Sequence, residues 1–412
     1  MIVLGLVFLG LTLVKLPDTK TIKPETLALA GGLFLLFLLF YFAVRWLLPD
    51  SDPLLVPLTS FLGGLGLIMI YRLKPELIAS QVLWVALGVA AAILVCWLFK
   101  RYQVLQNYKY ISATIGLILL LAPATQLGYE RYGAKLWLKI GSLSFQPSEI
   151  AKILIIIFLA AYLNEKRELL ATATRRVLGM WMPHFKYFGP LITMWLISLL
   201  ILVYEKDLGS SLLFFGVFLA MIYIATERFI YVLSGSGLFL AGAYLCYRFY
   251  HHVQVRINIW LNPWRDPGGQ GYQITQSLFA IASGGITGVG LSLGFPTKIP
   301  AVHTDFVFSA ICEELGLIGG VAIIIAYLFF TYRGLKIALA TSDGFGKLLA
   351  AGLATAFGLQ SFVIIGGVTK LIPLTGVTLP FMSYGGSSIL SNFILVGLLL
   401  VISNSEREEA EQ

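Results

Sequence analysis

Runs of about twenty apolar residues recur from one end of this chain to the other, and few folds accept them. The hydrocarbon core of a bilayer is roughly 30 Å thick, which a helix of about 20 apolar residues crosses. Backbone in lipid must satisfy its own hydrogen bonds, so such runs become helices or the strands of a closed barrel. Barrel strands alternate polar and apolar residues, and these runs do not. The expected fold class is all-α, a polytopic membrane helical bundle. Hydrophobic residues make up 58% of the 412 and charged residues 12%. No soluble domain of useful size is left over.

Twelve spans are expected, near 1–15, 26–48, 53–73, 77–99, 110–126, 149–163, 187–205, 208–225, 229–249, 304–332, 347–368 and 379–402. The first is short. Met1 is followed by no basic stretch and no small-residue cleavage site stands near Lys15, so it reads as a retained span and not a cleaved signal. Glu313 and Glu314 place the start of the 304–332 span outside the hydrocarbon. Lys and Arg in short connections set orientation. The 100–109, 164–187 and 333–347 connections are rich in them, carrying Lys100, Arg101 and Lys109, then Arg175, Arg176 and Lys186, then Arg333 and Lys347. That side is the cytoplasm, together with both termini. The loops 127–148, 250–303 and 369–378 then face outward. The net charge of +8 reflects this topology and contact with membrane lipids. No basic stripe with exposed aromatics points to nucleic acid. Cys96, Cys246 and Cys312 are dispersed and odd in number, which argues against a disulfide framework or a metal site.

The outward side holds the unusual chemistry. About fifty residues, 250–303, leave the spans as a polar, Gly-rich and aromatic segment. Long loops of this kind are functional or disordered, and Trp260, Trp264 and Tyr272 do not fit disorder. Asp266 is its most distinctive acid, in the run Asn262-Pro263-Trp264-Arg265-Asp266-Pro267. Upstream, Pro147 and Ser148 start a helix in which Glu149 and Lys152, three residues apart, share one face. Ionisable groups in a span default to function, with a self-neutralising ion pair as the equal alternative. Glu205-Lys206-Asp207 reads as a charged turn. His303 is as simply structural as catalytic, and Thr304 and Asp305 are good N-cap residues for the helix that follows. Ser383-Tyr384-Gly385-Gly386-Ser387 is either a binding segment or tight helix packing through small residues.

Six blocks in order, GAKLWLKIG, FQPSEIAK, DLGSSLLF, NPWRDPGGQGYQITQSL, HTDFVFSAICEELG and PLTGVTLPFMSYGGSS, resemble the SEDS family, which comprises the RodA, FtsW and SpoVE proteins of bacterial shape, elongation, division and sporulation. The EKDLGSSLLFFG form looks most like the RodA type. The resemblance covers about 53–403 as a ten-span core. It leaves 1–50 as an extension with two further spans and 404–412 as a cytoplasmic tail. It implies a peptidoglycan glycosyltransferase of the cytoplasmic membrane that polymerises lipid II, releases undecaprenyl pyrophosphate and works with a class B penicillin-binding protein, a transpeptidase. The family's essential extracytoplasmic Asp maps onto Asp266, and its paired acid and base onto Glu149 and Lys152. Ile364 stands where many members have Asn, so any role of that Asn does not transfer.

The implied chemistry needs a base for a sugar hydroxyl and positive charge for a leaving pyrophosphate. One carboxylate supplies the first, typically worth about 10²–10⁴-fold; Asp266 is the candidate. Lys139, Lys152 and Arg256 are candidates for the second. A divalent cation, Mg or Mn, would serve equally, though no ligand spacing requires one. Trp264, His303, Ser383, Tyr384, Gly385, Gly386 and Ser387 complete the candidate substrate-binding set. A lipid flippase would instead need charge near the bilayer midplane, and a cell-wall scaffold would leave Asp266 dispensable. Both alternatives stay open at this stage.

Overall fold

The computed structural model describes residues 2–15, 21, 23–131, 134–141, 143–171, 175–177, 180–182 and 185–411. It is a helical membrane bundle. In chain order the helices begin with α1 (Ile2–Leu13), α2 (Pro24–Leu47), α3 (Leu55–Leu73), α4 (Ile78–Leu98) and α5 (Lys109–Leu121). Strands β1 (Gly128–Arg131), β2 (Ala134–Ile140) and β3 (Leu143–Phe145) follow. Then come α6 (Ser148–Ala171), α7 (Phe185–Tyr204), α8 (Leu208–Thr226) and α9 (Phe229–Phe249). The chain continues through α10 (His251–Leu261), α11 (Tyr272–Gly284), α12 (Val307–Ala340), α13 (Gly344–Val368) and α14 (Gly386–Glu411). Each expected span meets one of these helices. With 12 residues, α1 is about 18 Å long at 1.5 Å per residue. It falls short of the hydrocarbon thickness and packs on α2 and α3.

The connections sort to two ends. Lys109 pairs with Glu165, and Arg333 with Asp52. Arg167 lies 3.3 Å from Glu227, and Tyr102 stacks on Phe345 at 6.2 Å. The Asp50 amide donates to Asn404 at 3.0 Å, and the Ser342 amide to Glu406 at 2.9 Å. These contacts gather the basic connections at one end, which the positive-inside rule assigns to the cytoplasm. Arg175, Arg176 and Lys186 have side chains outside the described residues, as Gly133 has its whole placement. At the opposite end lie the β-strands, the 205–207 turn, 250–305 and 369–385.

Three features at that outer end depart from the simple pattern. First, 250–303 is not a plain loop, because α10 and α11 lie within it. Second, 128–145 forms an antiparallel sheet in the order β1-β2-β3, with Tyr129 opposite Trp137 and Lys139 opposite Ser144. Third, α12 breaks at Gly316, whose φ of 68° is the left-handed region that glycine alone enters freely. The freed groups are used. The amides of Val289 and Gly290 donate to the carbonyls of Glu313 and Glu314 at 3.0 Å each, and that of Leu317 donates to Gly285 at 2.9 Å. Glu314, fully buried, accepts from Arg72 Nε at 3.1 Å and from the Ser292 amide at 3.0 Å. The two acids thus anchor the 284–296 segment on α3 and α12, and a hydrogen bond from Ser292 to the Val14 carbonyl ties in the end of α1.

The last expected span begins later than its hydropathy suggests, at Gly386 and not 379. Residues 377–385 are irregular yet buried, which a membrane protein tolerates only where protein supplies the missing hydrogen bonds. Gln360 Nε2 donates to Thr378 O at 3.0 Å, Tyr327 to Pro380 O at 2.6 Å, and Gln81 to Ser383 O at 3.2 Å.

Cysteine labelling checks the sidedness. Gly268 has open space at its β position, and Lys336 is exposed at the other end. Gly268→Cys should react with an impermeant maleimide in intact spheroplasts, and Lys336→Cys only after permeabilisation. The reverse pattern would invert the molecule.

Candidate active site

A cavity of about 370 Å³ opens at the outer end of the bundle. Its wall takes Glu149 from the first turn of α6, Lys206 and Asp207 from the α7–α8 turn, and Arg256 and Trp260 from α10. Gln270 and Gln273, Thr304 and Asp305, residues 374–378, and Tyr384 to Gly386 complete it, with Trp137 of β2 at one side. The sites where helices end at the outer surface therefore converge on one space.

Beneath it lies a buried polar network. Lys152 Nζ donates to Glu149 Oε2 at 2.9 Å and to Gln360 Oε1 at 2.7 Å. Ser391 donates to the same Glu149 oxygen at 2.9 Å, and Thr378 donates to Ser388 at 2.8 Å. Through these bonds α6, α13, α14 and the 377–385 segment share one set of partners. A charge inside a membrane protein is costly unless paired and hydrogen-bonded, and Lys152 has both kinds of partner.

Arg256 donates Nη1 to the Thr375 carbonyl at 3.0 Å. Burial pulls the Arg256 guanidinium below its ordinary range, and Asp207 and Asp305, acting from within the same cavity, oppose that pull. Gly376, at φ 75°, leaves the space between them open: a β-carbon there would lie 3.8 Å from Asp305 Oδ2 and 3.9 Å from Arg256 Nη2. Asp207 caps α8, accepting from the Ser210 amide at 2.9 Å and the Ser210 hydroxyl at 2.6 Å. Burial pushes Asp305 up to about 6, against the pull of Thr304 and Arg256. Burial and the neighbouring Asp207 push Glu205 up to about 8. The 205–207 turn is thus more than a solvated charged turn. Asp305 also does not cap α12 as its sequence suggests, because that N-cap is Phe306 without a side-chain bond.

The candidate residues separate into groups. Glu149, Arg256, Tyr384, Gly385 and Gly386 line the cavity. Gly386 also admits the Trp84 indole, which a β-carbon would meet at 2.1 Å. Lys152 sits below the wall. Ser383 accepts from the Leu379 amide at 2.9 Å and donates to the Thr304 carbonyl, while the Tyr384 amide donates to His303 O at 2.8 Å. His303 and Ser383 therefore join the two outer segments, and Ser387 is buried in the first turn of α14. Lys139 is exposed on β2, and Trp264, 50% exposed, packs on Phe279 at 5.6 Å. Asp266 is exposed and accepts from the Gln270 amide at 2.9 Å, so its carboxylate is held next to a cavity residue without being among those that line it. Sequence reasoning missed Asp207, Asp305, Lys206 and Lys370 as cavity residues. The signal available was their position at the outward ends of spans.

Residues 53–408 match the sequence pattern of the FtsW, RodA and SpoVE proteins, described as cell cycle proteins. The chain belongs to the FtsW/RodA/SpoVE family. It is 46% identical to the peptidoglycan glycosyltransferase RodA of Mycobacterium tuberculosis (strain ATCC 25618 / H37Rv), across 89% of this chain and 81% of that protein. It is 34% identical to stage V sporulation protein E of Bacillus subtilis (strain 168), across 87% of this chain and 98% of that one. Its fold is similar to a chain of the structure described as "Structural coordination of polymerization and crosslinking by a peptidoglycan synthase complex", with a TM-score of 0.71, 27% identity, and 86% and 98% of the two chains covered. It is likewise similar to the rod shape determining protein RodA of Thermus thermophilus, with a TM-score of 0.60, 27% identity, and 86% and 97% covered.

The cavity acids are engaged by neighbouring side chains. Asp207 spends both oxygens on Ser210, and Glu149 is taken by Lys152 and Ser391. Among the described residues no group of three or more His, Cys, Asp or Glu side chains is placed to hold a metal ion.

The Glu149–Lys152 pair yields a quantitative expectation. Removing one partner strands the other charge, at a cost of about 3–5 kcal/mol for a buried pair. Glu149→Ala and Lys152→Ala should each lower thermal stability and activity, and the double variant should lose less than the sum of the two. Strict additivity in a double-mutant cycle would show that they do not interact.

Proposed function

We propose that this chain is a peptidoglycan glycosyltransferase that polymerises lipid II at the outer face of the cytoplasmic membrane. The observation that carries the reading is the outward cavity, where carboxylates and a guanidinium face one another, in a chain 46% identical to proteins named for that activity. A flippase would need its charges at the midplane. Here the charged residues of the cavity come from the outward ends of the spans.

The reaction forms a bond between a sugar 4-hydroxyl oxygen and the anomeric carbon of lipid II. The bond from that carbon to the pyrophosphate breaks, the hydroxyl proton passes to a carboxylate, and undecaprenyl pyrophosphate leaves with the bonding electrons. A single displacement inverts the α-anomer to β. Asp266 is proposed as the base. Its exposure and its anchorage to Gln270, at the edge of the cavity, support that role. Asp305 is the second reading, favoured by its place in the cavity wall and by burial, which pushes it up to about 6. A general base works best with its pKa near the operating pH. Arg256 balances developing negative charge. The wall-lining Glu149, Tyr384, Gly385 and Gly386 shape the sugar site over Lys152 and the 377–385 segment. Trp264, His303, Ser383, Ser387 and Lys139 belong to its supports and its approach. A divalent cation carried in by the pyrophosphate would travel as part of the substrate.

Residues 51–403 are proposed as the catalytic membrane domain, 1–50 as an extension packed on it and 404–412 as its tail. A class B penicillin-binding protein is the proposed partner, supported by the likeness to a chain of a synthase complex that couples polymerization and crosslinking.

Purified protein incubated with labelled lipid II should yield polymer. Exposure of lipid II without polymer would mean a flippase, and neither would mean a scaffold. Asp266→Asn should abolish polymerisation by at least about 10²-fold while leaving folding intact. If Asp305 is the base instead, Asp305→Asn carries that loss. Wild-type activity then falls on acidification with a midpoint near 6, because only the ionised carboxylate accepts the proton. A well-folded Asp266→Asn variant at near wild-type rate would sink the first assignment.

A further inference from the structure

Of the three cations that the sequence offers for the pyrophosphate, Lys139, Lys152 and Arg256, only Arg256 lines the cavity. Two other lysines also line it, Lys206 and Lys370. Both adopt left-handed backbone, with φ of 64° and 65°. Both occupy the same position in the same motif. At the end of α7 the Asp207 amide donates to Leu202 O at 2.8 Å and the Lys206 amide to Val203 O at 3.1 Å. At the end of α13 the Leu371 amide donates to Gly366 O at 2.8 Å and the Lys370 amide to Gly367 O at 3.2 Å. These are paired Schellman caps, and the residue in the left-handed position of such a cap is usually glycine because it carries no Cβ penalty. Lysine there is strained twice over, and strained backbone concentrates at functional sites.

The acids of the cavity wall act on other cations. Of the acids in its wall, Glu149 is bound by Lys152, while Asp207 and Asp305 act on Arg256. Among the described residues, no ion pair joins Lys206 or Lys370 to an acid. Lys370 is also fixed from outside its own helix, since Trp260 Nε1 donates to its carbonyl at 3.2 Å. That bond sets the lysine cap against α10, the helix that carries Arg256. Glu227, also left-handed, ends α8 at the cytoplasmic end, where its side chain pairs with Arg167.

We propose that Lys206 and Lys370 are phosphate-binding residues that, with Arg256, receive the pyrophosphate of the lipid substrate. The proposal rests on the glycosyltransferase reading for the identity of the phosphate, and on the two caps for its place. Lysines at two helix ends in the wall of one cavity suit an anion that enters from the membrane surface. They act as mobile point charges beside the forked guanidinium.

Glycine variants separate this role from a structural one. Lys206→Gly and Lys370→Gly relieve the caps, so their thermal unfolding in the absence of ligand should match or exceed wild type. If the lysines only cap helices, nothing else should change. If they bind phosphate, the Kd for inorganic pyrophosphate, titrated against the full-length protein in neutral detergent, should rise about tenfold per lysine. The Kd for undecaprenyl pyrophosphate and the KM for lipid II should rise in parallel. Arginine at either position should restore most of the loss. Glycine variants that keep the wild-type Kd and KM while wild type makes polymer would overturn the proposal and leave the enzyme reading standing. Loss of binding to phosphatidylglycerol vesicles alone, with both pyrophosphates unaffected, would assign the lysines to the membrane surface and overturn it too. Pyrophosphate binding through both lysines in a wild-type protein that makes no polymer would support the phosphate site and overturn the glycosyltransferase reading.

Discussion

Lys152 is an ammonium group inside a membrane bundle, and much of the outer half of the molecule is arranged so that it can stay charged there. Its carboxylate partner is one turn away on the same helix, which alone would make an isolated pair. Gln360 on α13 and Ser391 on α14 convert it into a junction of three helices. Gln360 then spends its amide group on Thr378 O, so the irregular 377–385 backbone is held by the same network. Desolvated charge is expensive, and its cost falls only when every partner is in place. The network therefore fixes the relative position of helices that contribute to the cavity above it. Glu149 belongs to both: one oxygen serves the buried network, and the residue also lines the wall.

From this floor to the outer edge the candidate residues become more exposed. Arg256 comes from α10, outside the spans, and is steadied by the Thr375 carbonyl and two acids. Asp266 lies farther out still, exposed, with one backbone hydrogen bond. A polymerase has to release a lipid-linked product and accept a long glycan, so a gradient from rigid floor to accessible edge suits the task better than a closed pocket. The clasp of Arg72, Glu314 and the 284–296 segment serves the same end from the other side. It anchors the segment that leads from α11 to the cavity residues Thr304 and Asp305.

Much of this was legible in the residues. Apolar runs located the spans because lipid imposes the same rule on each of them, and Lys and Arg in short connections oriented the bundle. The Glu149–Lys152 spacing revealed the pair, since i and i+3 face each other on any helix. What stayed hidden depends on long-range packing. The β1–β3 sheet arises in a stretch too short and mixed for a strand pattern to stand out. The break at Gly316 does not stand out, because Gly319 and Gly320 follow it in the same helix without a break. Of the three cations that stand beside distinctive blocks, Arg256 reaches the cavity, but β2 turns Lys139 to solvent and α6 buries Lys152. Lys206 and Lys370 stand in stretches that read as a charged turn and as the outward loop 369–378. Only the folded chain brings those two helix ends to one cavity.

The cavity wall draws on residues at helix ends as well as within helices, and this has a physical consequence. Helix ends leave backbone groups unpaired and carry partial charge. In water those groups are cheaply solvated; at the surface of a bilayer they are not, unless turns, side chains or ligand meet them. Asp207 begins α8, Lys206 and Lys370 follow the ends of α7 and α13, and the 373–385 segment separates α13 from α14. Each must spend polar groups to end a span at this depth. Bringing these ends together around one space lets the groups needed to terminate helices also face a charged substrate. The same clustering explains why the outer face, and not the midplane, carries the chemistry: a span can end there without placing an unpaired charge in lipid.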